Sequence, residues 1–153
     1  MLSEKMIELL NAQINLEFAS SNIYLQMSAW AESEGLSGCA KFLKLQAAEE
    51  MEHMQKFFDY VLEKDAMSTL GAIPAPPREF ESISDLFQRV YKHECHVTES
   101  INNLVNVAHD ERDWATFNFL QWFVTEQVEE EASAKAILDK INLLGERESS
   151  LYF

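Results

Sequence analysis

The sequence is poor in residues that build turns. Its 153 residues include 4 Gly and 3 Pro, too few for the turns of a many-stranded β fold, so long helices are expected. Cysteine is equally scarce: Cys39 and Cys95 form no CxxC pair. That excludes a disulfide framework and makes a reducing cytoplasm the expected compartment. Basic residues are few, 12 Lys plus Arg against 26 Asp plus Glu, for a formal net charge of −14. Such acidity repels phosphate backbones and anionic lipid, so neither nucleic acid nor a membrane is an expected partner. No apolar run approaches the ~18 residues of a membrane span, and Met1-Leu2-Ser3-Glu4-Lys5 does not read as a signal peptide. What is present is 47% hydrophobic residues, enough to core one domain of ordinary size over residues 1–153. The excess negative charge suits a protein that attracts cations.

Four stretches read as helix, roughly 4–33, 37–65, 83–110 and 113–144. Gly35 follows the first and Gly145 the last, and Ser82 or Ser84 is placed to cap the third, with Asp85 in its first turn. The short breaks after helices one and three predict antiparallel hairpins. The Pro-bearing stretch Gly71-Ala72-Ile73-Pro74-Ala75-Pro76-Pro77 predicts a long crossover between helices two and three. The expected fold is therefore all-α, an antiparallel four-helix bundle. Seams with 3-4 spacing support it: Ile7, Leu10, Ile14, Glu17, Ser21 and Tyr24 on the first helix, and Leu43, Gln46, Glu50, His53, Phe57 and Tyr60 on the second. Val90, Glu94, Val97 and Ile101 follow on the third, and Phe117, Leu120, Val124 and Gln127 on the fourth.

Each seam is interrupted by polar residues near its middle, where Leu is expected. Glu17, Glu50 with His53, Glu94, and Gln127 with Glu130 lie close to the midpoints of their helices. Antiparallel helices of similar length bring their midpoints to one level, so these side chains converge. Clustered buried carboxylates must protonate or find cations. Two divalent ions balance four carboxylates, and oxygen ligands with one imidazole suit iron or manganese better than a thiol-seeking metal. Glu17 and Glu50 lie 33 residues apart, as do Glu94 and Gln127, and each half sets a further ligand type three residues on, His53 and Glu130. A single Glu-x-x-His is ordinarily a solvated pair on a helix surface. Four such features at matching depth are not, and they point to a degenerate repeat holding a dinuclear site. Among the remainder, Tyr24 and Trp122 read as core aromatics, His93 and His96 as surface, and Cys95 as an inert thiol. Glu129 and Glu131 suit a solvated acidic face as well as a site.

The motifs Asn15-Leu16-Glu17, Glu49-Glu50-Met51-Glu52-His53-Met54, Tyr91-Lys92-His93-Glu94 and Phe117-Asn118-Phe119-Leu120-Gln121-Trp122, running into Glu126-Gln127-Val128-Glu129-Glu130-Glu131, resemble the bacterial non-haem ferritins. The resemblance covers the whole chain. It implies a homo-oligomeric cage, normally of twenty-four subunits, that oxidises Fe(II) with O2 or H2O2 and stores Fe(III) mineral. It assigns Glu17, Glu50 and His53 to a first iron, and Glu50, Glu94 and Glu130 to a second. A third, neighbouring iron falls to Glu49, Glu126, Glu129 and Glu130. Gln127 is placed to hydrogen-bond at the centre and Tyr24 beside it, while Glu131 acquires no role.

Related families fit less well. A bacterioferritin repeats Glu-x-x-His in its second half, where this chain has Gln127 and Glu130. Met51 occupies the haem-ligand position of bacterioferritins, but non-haem members often carry Met there too, and no haem is expected. A rubrerythrin needs a four-cysteine iron domain, and a DNA-protecting miniferritin builds its site across subunits. A non-catalytic structural bundle is the remaining alternative, disfavoured by a complete ligand set. Two departures stand out. The resemblance puts a short fifth helix beyond Leu151-Tyr152-Phe153, where this sequence ends. It also sets Phe117 and Leu120 where animal ferritins carry the acidic residues of their threefold iron channels.

Overall fold

A computed structural model describes residues 1–145 of the chain, so the tail expectation at Leu151-Tyr152-Phe153 lies outside the described residues. Four helices account for the fold: α1 (Glu4–Ser33), α2 (Ser37–Glu63), α3 (Ile83–Asp110) and α4 (Trp114–Leu144). The expected bounds hold to within two residues, with α2 stopping at Glu63. Beyond it the backbone turns at Asp65, in the left-handed region at φ 58°. Caps set several ends. Ser3 Oγ accepts from the Met6 amide, Ser82 Oγ from the Asp85 amide, and the Asp113 carboxylate from the Thr116 amide. Of the two serines offered for α3, Ser82 is therefore the cap. Gly35 and Gly145 close α1 and α4 at φ 77°, a conformation a side chain resists.

α1 pairs with α2 and α3 with α4, while α1 also lies against α3. The start of α1 is tied to the end of α3 where Ser3 Oγ donates to Glu111 at 2.7 Å. The connector from α2 returns along α1 and is held there by two asparagine side chains. Asn11 Nδ2 donates to the Met67 carbonyl at 3.0 Å, and Asn11 Oδ1 accepts from the Thr69 amide at 2.8 Å. Asn15 does the same for the Thr69 carbonyl (3.0 Å) and the Gly71 amide (2.7 Å). These side chains supply the peptide partners that a segment without regular structure lacks.

The core is not continuous. One apolar cluster gathers Met6, Leu10, Ile14, Phe57, Ile101, Leu104, Leu120 and Phe123 at one end of the bundle. A second gathers Met27, Leu43, Phe87, Val90, Ala134 and Ile141, with the Tyr24 ring, at the other. Between them lies a buried polar belt of Gln13, Glu17, Gln46, Glu50, His53, Glu94, Gln127 and Glu130. Leu120 is fully buried in the first cluster and Phe117 packs half-buried beside it. Neither one carries an acidic group.

Candidate metal centre

The belt sits where the four helix midpoints cross, as expected from spacing. Glu17 comes from α1, Glu50 and His53 from one face of α2 at i,i+3, Glu94 from α3, and Gln127 and Glu130 from α4. All are buried, Glu17, Glu50 and Glu94 to 1% exposure. Their ligand atoms fall into groups that approach within 4.8 Å: Glu17, Glu50 and His53 in one, Glu50, Glu94 and Glu130 in another. Glu50 belongs to both. His53 Nδ1 lies 3.4 Å from Glu50 Oε2 and 3.9 Å from Glu17 Oε2.

Three buried side-chain atoms among the described residues lack a hydrogen-bond partner: Glu17 Oε2, Glu50 Oε2 and His53 Nδ1. Orphan polar atoms in a dry interior cost ~1–3 kcal/mol each, more when charged, and are rare in folded proteins. Here all three face one another and all are metal-ligating atoms. They have the donor chemistry of a divalent cation site with oxygen and nitrogen ligands.

The other oxygens are held. Gln13 Nε2 donates to Glu17 Oε1 at 3.0 Å, and Ser100 Oγ fixes Gln13 through its Oε1 at 2.5 Å. The Tyr24 hydroxyl donates to Glu94 Oε1. Gln127 Nε2 lies 3.2 Å from Glu94 Oε2 and 3.1 Å from Thr98 Oγ1. Gln46 Nε2 donates to Glu130 Oε2 and reaches Glu50 Oε1 at 3.4 Å. Burial dominates the protonation of this cluster. It lifts Glu17 well above the usual carboxylate range, and lifts Glu50 to about 8 with the charges of Glu94 and Glu130 adding to it. Glu130 is likewise pushed to about 8 and Glu94 upward, both first by burial. The Tyr24 hydroxyl is raised well above its ordinary value by burial and then by the Glu94 charge. Without cations the cluster retains protons, which cations would displace.

The four carboxylates of the expected third site are less united. Glu130 is buried and Glu126 half-buried, whereas Glu49 and Glu129 are exposed. Glu126 Oε1 lies 3.7 Å from His53 Nε2, and the ligand atoms that converge are those of His53, Glu126 and Glu130. Glu49 and Glu129 do not converge with them.

Two side chains differ from expectation. Trp122 is 43% exposed rather than core: its ring carries Lys56 Nζ 3.2 Å from the centroid and stands edge-on to His53 and Phe123. His93 is not a surface group. Its Nε2 lies 2.7 Å from Ser20 Oγ and its ring stands edge-on to Tyr24, with burial pulling the imidazole down to about 4. His96 is exposed, and Cys95 is half-buried with its thiol pushed up by burial. Glu131 has a structural partner, accepting from Thr98 Oγ1 at 2.5 Å. Sequence reasoning missed Gln13 and Gln46 as parts of the centre. Their signal was present: each stands four residues before a buried glutamate of the belt, and they too are 33 residues apart.

A four-helix bundle with a buried belt of carboxylates and one histidine defines a class, the ferritin-like carboxylate proteins. Comparison narrows it. The ferritin-like domain family model matches residues 7–144. The chain is 50% identical to a probable bacterial non-heme ferritin-like protein of Haemophilus influenzae, over 99% of this chain and 92% of that one. It is 46% identical to a bacterial non-heme ferritin of Escherichia coli, over 100% of this chain and 93% of that one. Among solved structures, an open pore ferritin from the archaeon Archaeoglobus fulgidus superposes with a TM-score of 0.98 at 46% identity, covering 100% of this chain and 94% of that one. The chain belongs to the ferritin family, on the side of the bacterial non-haem ferritins.

Proposed function

We propose that this ferritin stores iron and that each chain, as a single domain, is a ferroxidase, taking Fe(II) as its substrate. The observation that carries the reading is the convergence of Glu17 Oε2, Glu50 Oε2 and His53 Nδ1 as unpartnered buried ligand atoms. These three hold the first Fe(II). Glu50, Glu94 and Glu130 hold the second, with Glu50 shared, Gln127 hydrogen-bonded to Glu94 and Tyr24 beside it. Two Fe(II) each give one electron, and the pair reduces O2 with two protons to H2O2, or H2O2 with two protons to two waters. The redox chemistry is the iron's; the protein positions the ions and supplies charge. The first site has a nitrogen ligand and open ligand atoms, so it fills first. A third iron rests near Glu126 and Glu130, with Glu49 and Glu129 supplying exposed carboxylates at its rim.

The oxidised iron passes to a mineral held inside a homo-oligomeric cage, with twenty-four chains as the expected number. The names of the relatives support non-haem iron as the cargo. Exposed Leu45 (59%), Val128 (67%) and Leu143 (84%) support burial of further surface on assembly. No helix among the described residues is long and apolar enough to cross a membrane, and the cytoplasm is the proposed compartment. The test is aerobic addition of Fe(II) to the wild type and to Glu50→Ala. Equal oxidation rates in the two would reject a shared dinuclear centre.

A further inference from the structure

The two halves of the centre differ in how their ligand atoms are occupied. In the first, Glu17 and Glu50 each have one oxygen held by a glutamine amide and one open, and His53 Nδ1 is open. A cation arriving there displaces protons but no amide or phenol donor. In the second, both oxygens of Glu94 are engaged, by the Tyr24 hydroxyl and the Gln127 amide, and Glu130 Oε2 is engaged by Gln46. A cation arriving there competes with donors already in place. Each such bond must be given up before the cation takes the oxygen, and a buried donor left without its acceptor is costly.

Gln46 is the pivotal donor because it alone touches ligands of both halves. It is buried, at 7% exposure, one helical turn before Glu50 on α2, and its amide spans from Glu50 Oε1 to Glu130 Oε2 on α4. Phe42, Val90 and Ala134 line the crevice it shares with Glu94 and Glu130. Apolar walls leave the amide few other acceptors. Resting on the two-site reading above, we propose that Gln46 is a positioning residue that sets the order of loading. It withholds Glu130 from the second ion and holds the far oxygen of Glu50, leaving the near one open to the first.

The prediction concerns affinity, not turnover. Gln46→Met keeps the length of the side chain and removes the donor; Gln46→Leu does so with a different shape. Each metal-free protein is titrated with Zn(II), which is redox-inert, by calorimetry, and the second-site step is identified as the one lost in Glu94→Ala. The wild type binds first at the Glu17–Glu50–His53 site and then more weakly at the second. In both Gln46 variants the second-site Kd falls about tenfold or more, the scale of one lost hydrogen bond, while the first-site Kd moves less than about threefold. A second-site Kd that is unchanged or weaker in the variants overturns the proposal. A wild type with no step that Glu94→Ala removes overturns instead the two-site reading beneath it. Thermal unfolding of each variant checks that the fold is retained.

Discussion

Replacing Glu50 by Gln is expected to make the metal-free protein more stable and the metal-loaded protein less so. Glu50 is 1% exposed, its Oε2 has no partner, and burial with the charges of Glu94 and Glu130 raises its pKa from 4.5 to about 8. The folded chain therefore keeps a proton that the unfolded chain releases above about pH 4.5. Stability tied to that proton is fully present below the unfolded pKa and is lost as pH rises through the folded one. At ~1.4 kcal/mol per pKa unit, the loss has a ceiling of about 5 kcal/mol. Relaxation of neighbours reduces it, and a neutral amide of the same shape is expected to recover about 1–4 kcal/mol. The assay is denaturant unfolding in chelator at pH 5 and pH 8.5, at one protein concentration. The variant and wild type should agree within about 1 kcal/mol at pH 5, with the variant ahead by about 1–4 kcal/mol at pH 8.5. Excess Zn(II) should reverse the order, since a ligand at ~1,000 times its Kd adds about 4.1 kcal/mol to the protein that binds it. A metal-free variant less stable than wild type at pH 8.5, or equal pH slopes in the two, would refute the reasoning.

Two further predictions come from the partners of the belt and of the crossover. Tyr24→Phe leaves Glu94 Oε1 buried without its phenol donor, and the metal-free protein should lose about 1–3 kcal/mol in denaturant unfolding; an unchanged midpoint would contradict this. Asn15→Ala removes the bonds to the Thr69 carbonyl and the Gly71 amide. It should speed amide exchange at Gly71 while leaving Leu104 and Phe123 in the core unaffected, and unchanged exchange at Gly71 would count against the asparagine clamp.

The architecture and the buried polar belt were legible because both write a periodic signal. Glu17, Glu50 and Glu94 interrupt apolar seams at helix midpoints, and a charge on a core face is informative wherever it occurs. The donors were less legible. Gln46 stood in the α2 seam, but an amide carries no charge and spacing does not say which carboxylate it meets. Its bond to Glu130 joins α2 to α4 and depends on how the helices are rotated. His93 and Trp122 were misplaced for a related reason. His93 neighbours Glu94 yet reaches Ser20 on α1, while the apolar ring of Trp122 is covered by a lysine on one side and open on another. The role of Asn15 was hidden because its partners lie in a connector with no period to read.

Stopped-flow oxidation of anaerobically loaded Fe(II) addresses the centre most directly. Wild type and Glu50→Ala are mixed with O2-saturated buffer after stepwise loading with iron. The wild type should show a fast phase whose amplitude stops growing at two Fe(II) per chain, with one electron drawn from each ion, and Glu50→Ala should lack that phase. A fast phase that persists at the wild-type rate in Glu50→Ala would contradict the shared centre on which the account stands.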